Sequence, residues 1–197
     1  MSQLIRWILA LICNSAVVIW MGILLVRKIK EKDPMFFRFF TTLSNLFAMT
    51  GCAFMIPVCL GACISGQADI PHWVTLFKYV SAVSVCVTFL TVMFFLGPVN
   101  GYDKLLGGNG FYVHLIGPLL SVLSCCLLER GGWSFSEGFF GMLPTLIYGT
   151  VYFIQVIIRK KWEDFYGFNR GGHWKLAVIG MLGGTALICI GMTLLAN

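Results

Sequence analysis

His114 lies about four residues inside one apolar stretch, Phe111 to Leu128, and Thr41 about five residues inside another, Phe36 to Ile64. An ionisable side chain within hydrocarbon is costly and marks a function or a buried partner. A threonine hydroxyl is a weak nucleophile until a neighbouring base takes its proton. Neutral histidine is the side chain suited to that task near pH 7. Ser44 and Asn45, one turn beyond Thr41, bring a hydroxyl and an amide that can donate to a developing oxyanion. Thr41, His114, Ser44 and Asn45 therefore carry the group types of an acyl-transfer site. The plainer reading is a buried histidine satisfied by a neighbouring hydroxyl. All the acids, Glu31, Asp33, Asp69, Asp103, Glu129, Glu137, Glu163 and Asp164, fall in loops or at span edges. His114 thus reads as the only ionisable group well inside a span, and any reaction there as that of a dyad.

The elements that must position these residues are membrane spans. The 197 residues are 58% hydrophobic and only 11% charged, against about 25% charged in soluble domains. The apolar residues gather in runs of about 20, the length at which a helix crosses ~30 Å of hydrocarbon. Six runs stand out, at residues 4–26, 36–64, 74–96, 111–128, 139–158 and 174–196. The expected fold is all-α: a single polytopic bundle of six transmembrane helices over residues 1–197, with no room for a soluble domain. The first run is too long for a signal peptide and no small-x-small cleavage site follows it, so it reads as a retained helix.

The net charge of +6 points to membrane orientation rather than to nucleic acid. Arg27, Lys28, Lys30, Lys32, Lys104, Arg159, Lys160, Lys161 and Arg170 follow the odd-numbered spans. Arg6, Lys78 and Arg130 fall on the other side. This asymmetry predicts cytoplasmic odd loops and both termini outside. The eight cysteines all fall within spans and read as small apolar packing residues. No Cys/His spacing suggests a metal, and no cofactor is expected.

Polar and small residues within the spans step by three or four, so each set forms one stripe. They are Thr41, Ser44, Asn45, Ala48 and Cys52; Ser81, Ser84, Thr88 and Thr91; His114, Gly117, Pro118, Ser121 and Cys125; and Tyr148, Tyr152 and Gln155. These stripes should face the bundle interior. For the third span, and for Gly180-x-x-x-Gly184 in the sixth, close helix packing is the preferred explanation. Pro57, Pro118 and Pro144 should kink their spans. Spans two and four both start from odd loops. At 1.5 Å per residue, Thr41 and His114 then lie at one depth, roughly 6–8 Å below the hydrocarbon surface. Thr42 is the competing hydroxyl, turned about 100° from the Ser44–Asn45 stripe.

Three segments carry a family resemblance. Phe39-Phe40-Thr41-Thr42-Leu43-Ser44-Asn45-Leu46 resembles a signature of six-span proteins related to the androgen-induced and androgen-dependent membrane hydrolases. Val113-His114-Leu115-Ile116-Gly117-Pro118-Leu119-Leu120 continues the match, with a proline four residues after the histidine. Trp162-Glu163-Asp164-Phe165-Tyr166-Gly167-Phe168-Asn169 is similar to an aromatic-rich turn before the last span. The order and the span count agree along the whole chain, which is most similar to the bacterial branch. After Thr41 it departs from the animal members, Ser44-Asn45 being bacterial in style. The resemblance implies an intramembrane hydrolase of fatty acid esters of hydroxy fatty acids or similar acyl esters, with Thr41 as nucleophile and His114 as base.

Arg38, Tyr166 and Asn169 emerge on the same side and could border the site. His173 reads as an interfacial residue beside Trp174. The partners expected are membrane lipids and an acyl-ester substrate, in a bacterial cytoplasmic membrane. The alternative is a non-enzymatic membrane protein that binds or transports a lipid or a small hydrophobic molecule. The chain lacks the paired intramembrane charges and internal symmetry common in transporters.

Overall fold

Six long helices account for most of the chain in a computed structural model that describes residues 2–197. They are α1 Gln3–Lys30, α2 Phe40–Ser65, α3 His72–Asn100 and, after a short α4 Tyr102–Leu106, α5 Tyr112–Glu129, α6 Phe135–Ile158 and α7 Trp174–Ala196. All but α4 are long and apolar enough to cross a membrane, and no strand occurs among the described residues. The protein is an all-helical, multi-pass membrane bundle. In hydrocarbon every backbone polar group must be satisfied internally, and helices achieve this segment by segment.

α3 is the central element. Half of its most apolar window is buried, 50% against 22% in α6 and α7. It packs on α2, α5, α6 and α7, while α1 packs on α2 and α5. Its buried hydroxyls bond back to its own carbonyls: Ser81 to Lys78, Ser84 to Ser81 and Thr88 to Ser84. This is the packing role expected of that stripe, and Gly51 of α2 leaves the room for Ser81.

The helix ends differ from the sequence expectation in ways that matter for the site. α1 continues to Lys30, so Arg27, Lys28 and Lys30 stand on its last turn, where cations complement the helix dipole. Glu31 pairs there with Arg27 at 2.8 Å and Lys28 at 2.9 Å. Residues Phe36–Arg38 form a separate 3₁₀ turn, and α2 starts only at Phe40. α3 does not stop at Leu96. A wide turn at Val92–Leu96 carries it through Gly97-Pro98, and the same device at Tyr112–Ile116 precedes Gly117-Pro118 in α5. Proline has no N–H and its ring crowds the carbonyl four residues back. The preceding glycine instead bonds five residues back, Gly97 to Val92 and Gly117 to Tyr112. Thr41 is therefore the second residue of α2 and His114 the third of α5, both in the first turn of their helices.

One charge is misplaced by the sequence reading. Lys78, counted with the even-loop surface, is 1% exposed in the middle of the bundle.

Candidate functional site

The first turn of α2 has no side-chain cap of its own. Instead, the backbone N–H of Phe40 donates to Tyr166 Oη at 2.9 Å, from the loop between α6 and α7. That loop is wrapped around one carboxylate. Asp164 accepts from Tyr152 Oη at 2.9 Å, from the Phe168 N–H at 2.7 Å and from the Asn169 N–H at 2.8 Å. The Tyr166 N–H donates to Tyr152 Oη at 3.2 Å, and Tyr148 Oη donates to the Arg38 carbonyl at 2.7 Å. Three tyrosines thus fasten the loop and the start of α2 to α6. Burial raises the Tyr166 phenol above the ordinary tyrosine value, so its hydroxyl keeps its proton near neutral pH.

Thr41, half-buried, borders a cavity of about 340 Å³ between α2, α3, α6 and α7. Thr41, Thr88, Tyr148 and Tyr166 lie along it, and Phe95, Leu96, Leu176, Met181 and Ile188 are among its apolar walls. Thr42, 8% exposed, is not part of this lining.

Ser44 and Asn45 hold the turn together. Ser44 Oγ donates to the Thr41 carbonyl at 3.1 Å and shares a 2.7 Å hydrogen bond with Thr88 Oγ1. Asn45 Nδ2 donates to the Thr41 carbonyl at 2.8 Å and, across to α5, to the Val113 carbonyl at 3.0 Å. Both amide protons are thereby committed to carbonyls. Ser44 and Asn45 thus give the Thr41 turn polar support, bracing it against α3 and α5. Gly117 permits the brace: a Cβ there would lie 3.3 Å from Asn45 Oδ1 and 3.0 Å from the Tyr112 carbonyl.

His114 sits in the wide turn Tyr112–Ile116, with Nδ1 buried and without a hydrogen-bond partner. The Asn45 brace joins the Thr41 carbonyl to the carbonyl of Val113, the residue before His114. No hydrogen bond joins the Thr41 and His114 side chains, and His114 does not line the cavity that Thr41 borders. A smaller cavity of about 110 Å³ lies on the α1 side of Asn45, walled by Trp20, Tyr112 and Gly117. Of the residues expected at the border, Tyr166 lines the larger cavity. Arg38 instead places its guanidinium 5.9 Å from the Trp162 ring centroid, and Asn169 and His173 are exposed.

A second polar cluster lies elsewhere. Asn14 of α1, Cys52 of α2, Lys78 of α3 and Glu129 of α5 meet inside the bundle, each less than 5% exposed. Sequence reasoning missed it, although Lys78 lies about as far inside its apolar run as His114 does in its own. Counting Lys78 as a surface charge hid that parallel.

Fold and site together define a class: a six-helix, multi-pass membrane protein with a mostly apolar cavity bordered by Thr41 and by the α6–α7 loop. Comparison with family models, characterised proteins and solved structures finds no match to this chain.

Proposed function

We propose that the chain is an intramembrane hydrolase of lipid acyl esters, with Thr41 as nucleophile and His114 as its base. The observation that carries this reading is the position of Thr41: a half-buried threonine in the first turn of α2, bordering an apolar cavity of about 340 Å³. An acyl chain lying in that cavity brings its ester carbonyl to Thr41. Thr41 Oγ1 attacks the carbonyl carbon, and its proton passes to the unpartnered Nδ1 of His114 and on to the leaving alcohol. Water then hydrolyses the acyl-threonine. Hydrogen bonds of this kind are often long in a ligand-free site and tighten with substrate bound. The three segments that resemble the androgen-induced and androgen-dependent hydrolases add support. The charge asymmetry supports odd loops in the cytoplasm of a bacterial cell, and the buried Lys78 removes one of three counter-examples.

A second reading is favoured by a specific observation: the cavity at Thr41 is not lined by His114. It makes the protein a binder of single-chain amphiphiles without hydrolysis. One experiment separates the two. Purified protein is treated with a fluorophosphonate probe and a panel of acyl esters, alongside Thr41→Ala and His114→Ala. The hydrolase reading expects labelling and turnover in the wild type and a loss of at least about 10³-fold in each variant. Turnover by Thr41→Ala at the wild-type rate rejects it. Saturable binding of a labelled fatty acid with no turnover selects the second reading.

A further inference from the structure

The buried cluster at Asn14 is a directed chain of hydrogen bonds from lysine to glutamate. Lys78 Nζ donates to Asn14 Oδ1 at 2.7 Å and to Cys52 Sγ at 2.8 Å. Asn14 Nδ2 donates in turn to Glu129 Oε1 at 2.6 Å and to the Ala10 carbonyl at 2.8 Å. An ammonium has only donors and a carboxylate only acceptors. The amide is oriented accordingly, with its oxygen toward lysine and its nitrogen toward glutamate. The flipped amide would set donor against donor and acceptor against acceptor, so the two neighbours decide the orientation.

The surroundings bring one carboxylate to the ammonium, through Asn14. Exposure is 0% for Asn14, 1% for Lys78 and 4% for Glu129. Glu129 is the one carboxylate among the groups that act on Lys78; the others are the thiols of Cys52 and Cys125. Glu129 Oε2 is buried without a donor, so Oε1, which accepts from Asn14, is the oxygen through which Glu129 is tied to the lysine. A lone charge in this position would cost several kcal/mol.

We infer that Lys78 and Glu129 form a single buried ion pair, bridged by Asn14, which locks α1, α2, α3 and α5 into one register. Each helix contributes one member: Asn14, Cys52, Lys78 and Glu129. None of the four lines either cavity, so the cluster positions other groups and does not touch a substrate. On α2, Cys52 lies seven residues, about two turns, from Asn45 and on the same face. The lock at Cys52 and the Asn45 brace to Val113 therefore use one stripe of α2. Fixing α2 at Cys52 sets where Asn45 meets α5.

The test is the thermal unfolding of the full-length protein in detergent, followed by tryptophan fluorescence. The variants are Lys78→Met, Glu129→Gln and the two combined. Each single variant leaves an uncompensated buried charge and lowers Tm by about 10 °C or more. The double variant removes both charges and returns to within about 5 °C of the wild type. If the single variants do not accumulate as folded protein, the double variant does. A Glu129→Gln protein with wild-type Tm overturns the inference. So does a double variant no more stable than the worse single one, or absent as they are.

Discussion

The two ends of the bundle treat buried polarity in opposite ways. Near the odd loops, His114 Nδ1 has no hydrogen-bond partner, and Thr41 borders a cavity. Toward the even loops, Lys78 and Asn14 are engaged on protein partners at 2.6–2.8 Å and line neither cavity, and of Glu129 only Oε2 is left without a donor. A satisfied polar network in a low dielectric rigidifies and specifies packing. Groups left unsatisfied in a concave, accessible place are the ones available for chemistry. The comparison teaches that ionisable character within a span does not mark a site by itself. What distinguishes the two ends is whether the protein has already supplied the partners.

The sharpest break in this division would be a variant that crosses it. Thr41→Ala should abolish ester hydrolysis, by at least about 10³-fold, and leave Tm within about 2 °C of the wild type. Lys78→Met should do the reverse for stability, by about 10 °C or more. Parallel Tm and turnover measurements check both, and a Thr41→Ala protein that unfolds like Lys78→Met would erase the distinction.

Next in size is the loop that caps the mouth. Asp164→Asn removes the charge that holds two backbone N–H groups and Tyr152 Oη. Hydrogen bonds to a charged group contribute about 1.5–3 kcal/mol. Limited proteolysis should then cut the 162–169 loop faster, and a labelled fatty acid should bind less tightly, while the cluster at Lys78 is unaffected. Equal cleavage rates would show that the tyrosines alone hold the loop.

The cavity itself can be narrowed. A Cβ at Gly149 meets the flexible end of Met181 at 2.7 Å. Gly149→Val should therefore reduce turnover of long-chain esters about tenfold and leave short-chain esters nearly unchanged, in a chain-length series of kcat/KM. A uniform loss across the series would place the acyl chain elsewhere. Gly117→Ala is a smaller perturbation. It crowds Asn45 Oδ1 and the Tyr112 carbonyl, and overpacking of this size costs about 1–3 kcal/mol, visible as a lower Tm.

The smallest effect concerns an exposed pair outside both ends' chemistry. Hydrogen bonds from Arg27 and Lys28 hold the Glu31 carboxyl below its ordinary value. A lowered folded pKa gives stability that is present above the ordinary carboxylate range and lost as pH falls through it. The pair is solvent-exposed, so acidification through that range should shift the Tm difference between wild type and Glu31→Gln by less than about 1 °C.

Six spans and their inward stripes are legible in the chain because the cost of exposing polar groups to lipid is local and written residue by residue. Ser44, Asn45, Ser81, Ser84, Thr88 and Ser121, each inward by its spacing, are all less than 5% exposed. Helix ends were less legible, because the wide turn before Gly97-Pro98 continues α3 past Leu96, where hydropathy alone would stop it. What only the tertiary structure decided is partnership. The donors of Asn45 go to Thr41 and Val113, 4 and 68 residues away. Lys78 reaches Asn14 across 64 residues, and Asn14 reaches Glu129 across 115. Helical periodicity says which way a side chain faces, but not which side chain of another helix it meets. That depends on the depth and rotation at which the helices pack, and there Lys78 becomes a buried charge with a counter-ion, leaving His114 with an open nitrogen.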